Sequence, residues 1–413
     1  MIGRRPAVFA AGLYAWSSWS LSMSRWAFPA TLDHLLVLAA VGLVWRALGP
    51  ARAGAPVTKH GIAALALAGL LGGLATYAYH TGRIAPLALA VVASIRLGVH
   101  GVSWRRALPG LAIAAVVGLL TMAPLIWYIA SDIEGYNRRV GNVSVFDSND
   151  LTTRKPLGLF LQNVARYGLM WHIEGEGNGR HHMPAAPMLD PFSGLLLALG
   201  LLAAFDMALR RRGMLALLAF WLIYFIPGVL SGNAPHAMRS LGTLAPACAL
   251  AGLGLTILND SLRTTRLRRM LPVALLTLSL AFNVWLYFGV MRVAPQVYGE
   301  FDLSETAAGR IVQAADRADV AVFMPAELID TDTVRYLSYR SPVNELERDP
   351  VPAEGPALIL LPPQASVEAR NAALAALGPE AVAIEPAPRT PDGTQPLLVI
   401  FGRGEAARDV VTP

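Results

Sequence analysis

The sequence predicts an all-α polytopic membrane bundle of about nine transmembrane helices, followed by a small extracytoplasmic α/β C-terminal domain. Three observations lead there. Of 413 residues, 54% are hydrophobic and only 15% charged, against roughly 25% charged in an ordinary soluble domain. Mean hydropathy over that length is +0.47, more apolar side chain than a single soluble core can hold. Windows such as Gly61–Tyr79 carry no charged residue and approach the roughly 20 residues that cross a bilayer.

The expected spans are Ala7–Ser22, Ala30–Leu48, Gly61–Tyr79, Ile84–Val99, Ala107–Ile129, Pro191–Leu209, Gly213–Leu230, Leu241–Leu258 and Met270–Val290. The first is the weakest, being short and rich in Ser and Trp. It does not read as a signal peptide, because no small-residue cleavage site precedes a soluble domain. The organisation is helices one to five in residues 1–129, an outer loop at 130–190, helices six to nine in 191–292, and the α/β domain in 296–413. The lone Cys248 excludes intrachain disulfides and cysteine metal sites.

Charge orients the spans. Residues 296–413 hold 9 Arg and 18 acidic residues, a net of −9, so the remainder carries +15 of the overall +6. A basic chain often binds nucleic acid, but here the excess sits in short loops between apolar runs. Fifteen Lys and Arg fall at one set of helix ends, from Arg4 and Arg5 to Arg268 and Arg269. The short loops on the other side hold only Arg25, Arg83 and Arg239. The positive-inside rule then puts the N-terminus inside, in the cytoplasm, and the C-terminal domain outside.

Two outer segments follow. The loop from Ala130 to Asp190 is too long for a plain connection. In the tail, Ser304–Ala315 is amphipathic, Val320–Met324, Ala357–Leu361 and Leu397–Phe401 read as strands, and Val367–Leu377 as a helix. That alternation predicts an α/β fold, without a Gly-rich phosphate loop or nucleophile elbow, and hence an accessory domain.

Polar groups beside hydrocarbon usually mark function, and four outer clusters stand out. In Tyr77-Ala-Tyr79-His80-Thr-Gly-Arg83, Arg83 reads either as a snorkelling residue beside belt tyrosines or as the partner of a lipid phosphate. Between Trp171 and His182 lie His172, Glu174, Glu176, Arg180, His181 and His182. This loop could recognise a polar substrate, stay solvated, or hold a divalent metal, for which His172, Glu174, Glu176 and His181 are the weak candidates. Its spacing matches no structural zinc pattern. The third cluster holds His236 and Arg239, which share a helical face if the eighth span begins there and would favour an anion. The fourth is Ser24-Arg25-Trp26, then Asp33-His34, the last two an acid–base pair or an exposed membrane edge. Asn142-Val-Ser144 fits the glycosylation pattern by chance spacing.

Taken in order, these motifs resemble a family. They run Trp19-x5-Arg25, then Gly73-Leu-Ala-Thr-Tyr77-Ala-Tyr79-x3-Arg83-x2-Pro86, then Glu174-Gly-Glu176-Gly-Asn178-Gly-Arg180-His181-His182-Met-Pro184-x2-Pro187-Met-Leu-Asp190, and last Ala234-Pro235-His236-x2-Arg239. The pattern resembles the bacterial GT-C membrane glycosyltransferases, the dolichyl-phosphate-mannose–protein mannosyltransferase-like superfamily that includes the aminoarabinose transferases. The resemblance covers roughly residues 8–290. It implies transfer of a sugar from a polyprenyl-phosphate carrier to a lipid, glycan or protein acceptor at the outer face. Arg83, His182 and Arg239, with Tyr79, His236 and Arg180, are then expected to touch phosphate or sugar. No cofactor is required, a divalent metal is compatible, and the partners are the lipid-linked sugar and membrane lipid rather than nucleic acid.

The sequence also departs from the family. Members carry an acidic pair in a long loop after their first span, serving as general base. Here the first outer loop, Ser22–Pro29, holds Arg25 and no acid. The expectation is that an N-terminal portion is missing and that the catalytic residue is unknown; Asp33, Asp132 or Glu134 could substitute only with other geometry. The alternatives are a non-catalytic GT-C-like protein that binds the carrier or a partner and, behind it, a transporter, which would need mid-span polar residues or interrupted inverted repeats.

Overall fold

The computed structural model describes residues 2–26, 28–49, 57–100, 104–141, 144, 156–210 and 213–411. Arg52, Arg211, Arg212 and Asn142, which entered the sequence arguments above, lie outside the described residues. The chain divides into two units, Met1–Gly289 and Val290–Pro413.

The first unit is helical: α1 (Arg4–Trp16), α2 (Ser18–Arg25), α3 (Pro29–Ala47), α4 (Lys59–Ala78), α5 (Ala85–His100), α6 (Trp104–Ser131), α7 (Ile133–Gly141) and α8 (Pro156–Leu169). It continues with α9 (Pro191–Arg210), α10 (Gly213–Ile223), α11 (Ile226–Val229), α12 (Ala237–Ser240), α13 (Leu244–Ser261) and α14 (Thr265–Val284). Among the described residues, seven helical segments are long and apolar enough to cross a membrane: Pro29–Ala47, Lys59–Ala78, His80–Val99, Trp104–Ser131, Pro191–Arg210, Ala237–Ser261 and Thr265–Val293. The protein is a multi-pass membrane protein.

Two of the nine expected spans differ in form. The seventh is a shorter apolar stretch, Gly213–Val229, interrupted between α10 and α11. The first is broken at Ser17, which takes an extended conformation (φ −52°, ψ 129°) between α1 and α2. A break inside hydrocarbon frees backbone groups that must find partners within the protein. Here the freed Ser18 N–H donates to Asn283 Oδ1 on α14 at 2.7 Å.

Small residues let the spans pack closely, as they do in lipid. A Cβ on Gly200 of α9 would fall on the Leu250 carbonyl of α13, and one on Gly254 on the Leu196 carbonyl. Gly69 of α4 meets the Ala114 carbonyl of α6 in the same way. The outer surface is apolar because lipid, not water, faces it: Leu120 and Trp127 of α6 are 70% and 77% exposed. Leu13, Trp19, Met170, Leu196, Leu244 and Leu250 anchor one buried core, and Val37, Leu65, Ala88, Val92 and Tyr224 a second.

Residues 130–190, expected as a loop, contain α7 and α8. Helix α8 clamps the chain after α11. Asn163 Nδ2 donates to the carbonyls of Val229 and Ser231, both at 2.9 Å, and Arg166 to Ala234 O at 3.1 Å.

The second unit is α/β. A five-stranded sheet runs in the order β2 (Asn344–Glu345), β1 (Ala321–Met324), β3 (Ala357–Leu361), β5 (Val399–Arg403), β4 (Val382–Ala383). β1 is parallel to β2 and β3, while β5 is antiparallel to β3 and β4. All five residues of β3 are buried, as a central strand covered on both faces requires. Alternation splits them: Leu358 and Leu360 pack with Ile311 and Val312 of helix Leu303–Arg317, whereas Ala357, Ile359 and Leu361 pack with Ala373 and Leu377 of helix Val367–Leu377. Arg403 staples the edge, donating to the carbonyls of Gly355, Leu377 and Pro352 at 3.0, 2.8 and 2.6 Å.

Candidate functional site

The predicted polar residues gather around the segment Met170–Asp190. Both its ends are fixed. Met188 N–H bonds back to Met170 O at 2.8 Å, closing the loop on itself. At Asp190, Oδ1 accepts the Phe192 and Ser193 N–H groups at 3.1 and 3.0 Å, capping α9. Its Oδ2 accepts the hydroxyls of Ser193 and Ser279 and the amide of Asn283. A buried carboxylate with five donors is a structural hub.

Inside the loop, Glu176 is the centre. Its Oε2 accepts the Ala237 N–H at 2.7 Å and lies 2.7 Å from His181 Nδ1, and its Oε1 lies 3.6 Å from His236 Nδ1. The two imidazoles stand 5.1 Å apart, centroid to centroid. Glu176 and His181 are 5% and 3% exposed. His236 is positioned from the other side, its N–H donating to the buried Tyr167 hydroxyl at 3.0 Å, and burial pushes that phenol's pKa up. Burial holds the His236 pKa down to about 4, with the Glu176 carboxylate opposing and Arg239 and His181 adding to the depression. Both His236 Nδ1 and Arg239 Nη1 are buried without a hydrogen-bond partner.

His182 points elsewhere. Its Nε2 sits 2.9 Å from Ser18 Oγ and its Nδ1 3.3 Å from Met183 O. The tautomer that donates from Nδ1 and accepts at Nε2 satisfies both contacts. Burial lowers its pKa to about 4, so the ring is neutral and ties the loop to the start of α2. His172 is an exposed residue whose Nε2 lies 2.8 Å from Gly194 O, and Glu174 is also exposed. Of the four metal candidates, Glu176 and His181 therefore come together, joined by His236, while His172 and Glu174 stand apart.

The turn after α4 connects through aromatic rings. Tyr79 meets Phe28 at 5.5 Å, Phe28 meets Trp26 at 6.3 Å, and Trp26 meets His181 at 5.9 Å. Arg180 lies 6.0 Å from the Trp26 ring. Arg83 stacks on Tyr136 of α7 at 4.8 Å and donates to its hydroxyl at 2.8 Å, while its buried Nε has no hydrogen-bond partner. Asp33 is fully buried beside this turn, accepting from Thr81 at 2.6 Å and lying 3.0 Å from His34 Nδ1. Asp132 is exposed and caps α7 through the Gly135 N–H, and Glu134 is also exposed. An apolar cleft of about 470 Å³ opens between α4, α5 and α6, lined by Gly72, Gly73, Pro86, Leu89, Gly118 and Met122 among others.

Sequence reasoning missed Ser18 and Tyr167. Ser18 and Tyr167 lie in ordinary helical runs, and only their partners, 164 and 69 residues away, reveal them.

No protein-family model and no curated protein matches the chain. Solved structures similar to it include two of one protein. One is ArnT from Cupriavidus metallidurans bound to undecaprenyl phosphate, 14% identical with a TM-score of 0.47, covering 98% of this chain and 80% of that one. The other is ArnT from the same organism in the apo state, 13% identical with a TM-score of 0.40, covering 99% and 84%. At such identity the likeness transfers no residue's role.

Proposed function

We propose that the protein is an integral membrane glycosyltransferase that moves a sugar from a polyprenyl-phosphate carrier to an acceptor at the outer face of a bacterial plasma membrane. The observation that carries this is an apolar cleft with a basic residue close in sequence to its lining. Among the described residues the cleft between α4, α5 and α6 has no charged lining residue, and Arg83 lies three residues before Pro86, which lines it. A long apolar tail with an anionic head matches that arrangement. In the transfer, the bond from the anomeric carbon to the phosphate oxygen breaks and one to the acceptor oxygen forms, the acceptor hydroxyl giving up its proton to water, leaving negative charge on the phosphate. Guanidinium groups are suited to neutralise it, and the unpartnered Nε of Arg83 and Nη1 of Arg239 are donors in need of an acceptor.

A second reading, carrier binding without turnover, is favoured by the carboxylates. Among the described residues Asp33, Glu176 and Asp190, the buried acids at this end, are each engaged by neighbouring polar groups.

The test is the full chain reconstituted in liposomes with a polyprenyl-phosphate carrier bearing a radiolabelled sugar. Appearance of label on acceptor or in water supports transfer. Saturable carrier binding with no label released supports the second reading. Binding no stronger than that of the uncharged polyprenol rejects both.

A further inference from the structure

We infer that Tyr77 is a positioning residue for the apolar cleft, its hydroxyl fastening α6, one wall of the cleft, to α4 where α6 is weakest. The inference rests on the reading of that cleft as the seat of a polyprenyl chain. Gly69, Gly73 and Tyr77 are spaced four apart and so share one face of α4, and that face runs along α6. A Cβ on Gly69 would fall on the Ala114 carbonyl, and one on Gly73 would meet Thr121 Cβ at 2.7 Å and Gly118 O at 3.0 Å. Two glycines let the backbones close up, so the next residue on the face reaches main chain. The Tyr77 hydroxyl donates to Thr121 O at 2.8 Å and accepts from the Leu125 N–H at 3.3 Å. Those two groups are the acceptor and donor of a single α-helical rung. A tyrosine of an aromatic belt offers its hydroxyl to headgroups; this one is turned onto the ladder of α6.

The neighbouring rung is already lost. Pro124 stands inside α6 and has no N–H, so the Leu120 carbonyl four residues earlier gets no helical donor, and the ring crowds it. Little else steadies this end. Helix α6 packs mainly on α4, and Val116, Leu120 and Trp127 on its other side are exposed. Leu119 and Met122 of α6 line the cleft opposite Pro86 and Leu89 of α5. The bond to Thr121, between those two lining residues, therefore fixes the end of the α6 wall. The bond from Leu125 holds the segment beyond Pro124. Tyr77 thus acts on the apolar tail through α6, whereas Arg83 is assigned to the phosphate.

The experiment compares two polyprenyl phosphates, one of about eleven isoprene units and one of about two, binding to the full chain in detergent. Wild type should hold the longer one more tightly, because contacts along the cleft add up. Tyr77→Phe keeps the ring and strands no group, since Thr121 O and the Leu125 N–H can pair with each other; thermal unfolding checks that it is folded. Its preference for the longer chain should fall roughly 3- to 10-fold, the range of one neutral hydrogen bond. Arg83→Ala should weaken both carriers alike and leave the preference intact. Because Cys248 is buried, a nitroxide attaches to the one cysteine introduced by Trp127→Cys, and its spectrum should show a more mobile α6 end in Tyr77→Phe. A folded Tyr77→Phe with undiminished preference overturns the role of Tyr77 and leaves the cleft reading standing. A wild type that holds both carriers equally rejects the cleft reading, and the role of Tyr77 falls with it. An unchanged nitroxide spectrum overturns the fastening whichever carrier result accompanies it.

Discussion

Asn283 of α14 donates to Asp190 Oδ2 over 2.9 Å and, through its own Oδ1, accepts the Ser18 N–H at 2.7 Å. One amide thus joins the start of α9 to the break between α1 and α2. The Ser18 N–H is buried in the bundle and has no water to turn to. Replacing Asn283 with Leu keeps most of the volume and strands that donor, at a cost of about 1–3 kcal/mol. The expected result is a lower thermal midpoint in detergent. Because both residues act on one carboxylate, the loss should be less than additive with Ser279→Ala in a double-mutant cycle. Full additivity would show that Asp190 is not the shared acceptor.

Gly254 sets the crossing of α13 with α9. Its missing Cβ is where the Leu196 carbonyl sits, with Gly200 N 2.8 Å from the same point. Gly254→Val must push the two helices apart, which costs roughly 1–3 kcal/mol or more in a packed core. Gly42 of α3, with open space around it, is the control: Gly42→Ala should leave the thermal midpoint unchanged or raise it slightly.

Asp392 organises the turn at Thr390–Gln395 in the second unit. Its carboxylate accepts from the Thr390 and Thr394 hydroxyls, the Thr394 N–H and the Tyr298 hydroxyl. These bonds, that from Thr390 foremost, hold its pKa down to about 2. A carboxyl depressed in the fold stabilises it fully above the ordinary carboxylate range, and the effect is lost as pH falls through the folded value. Amide exchange in residues 388–398, corrected for intrinsic rate, should stay protected from neutral pH down to about 4. Asp392→Asn should lose that protection at neutral pH. Protection fading between pH 6 and 5 would contradict the assignment.

Much of this fold is legible in the sequence because its signals are local. Charge-free windows and a two-sided split of Lys and Arg need no tertiary information. Strand β3 and the helix at Val367–Leu377 are likewise bounded by Pro362, Pro363 and Gly378 within a few residues. The break at Ser17 is different. An extended serine inside an apolar run is tolerable only because Asn283 supplies an acceptor from 265 residues away. The site divides in the same manner. Glu176 and His181 are five apart and stand out as a pair, whereas His236 joins them only because Asn163 and Arg166 hold residues 229–234 against α8. His172 looks equivalent to His181 in the sequence, and one backbone carbonyl, that of Gly194, takes it away.

Arg83 offers the sharpest test of the carrier assignment. Its guanidinium is braced by Tyr136, which accepts at 2.8 Å and whose ring centroid lies 4.8 Å away, and its buried Nε has no hydrogen-bond partner. A hydrogen bond to a charged group contributes about 1.5–3 kcal/mol, so Arg83→Ala should weaken polyprenyl-phosphate binding roughly 10- to 100-fold. Arg83→Lys keeps the charge but loses the planar stack and should fall between. Tyr136→Phe removes the brace while retaining the ring, and a smaller loss is expected because the cation remains. Polyprenol, which lacks the phosphate, should bind wild type and Arg83→Ala alike. Native mass spectrometry of the full chain in detergent reads all four affinities, and an unchanged polyprenyl-phosphate affinity in Arg83→Ala would remove Arg83 from the phosphate site.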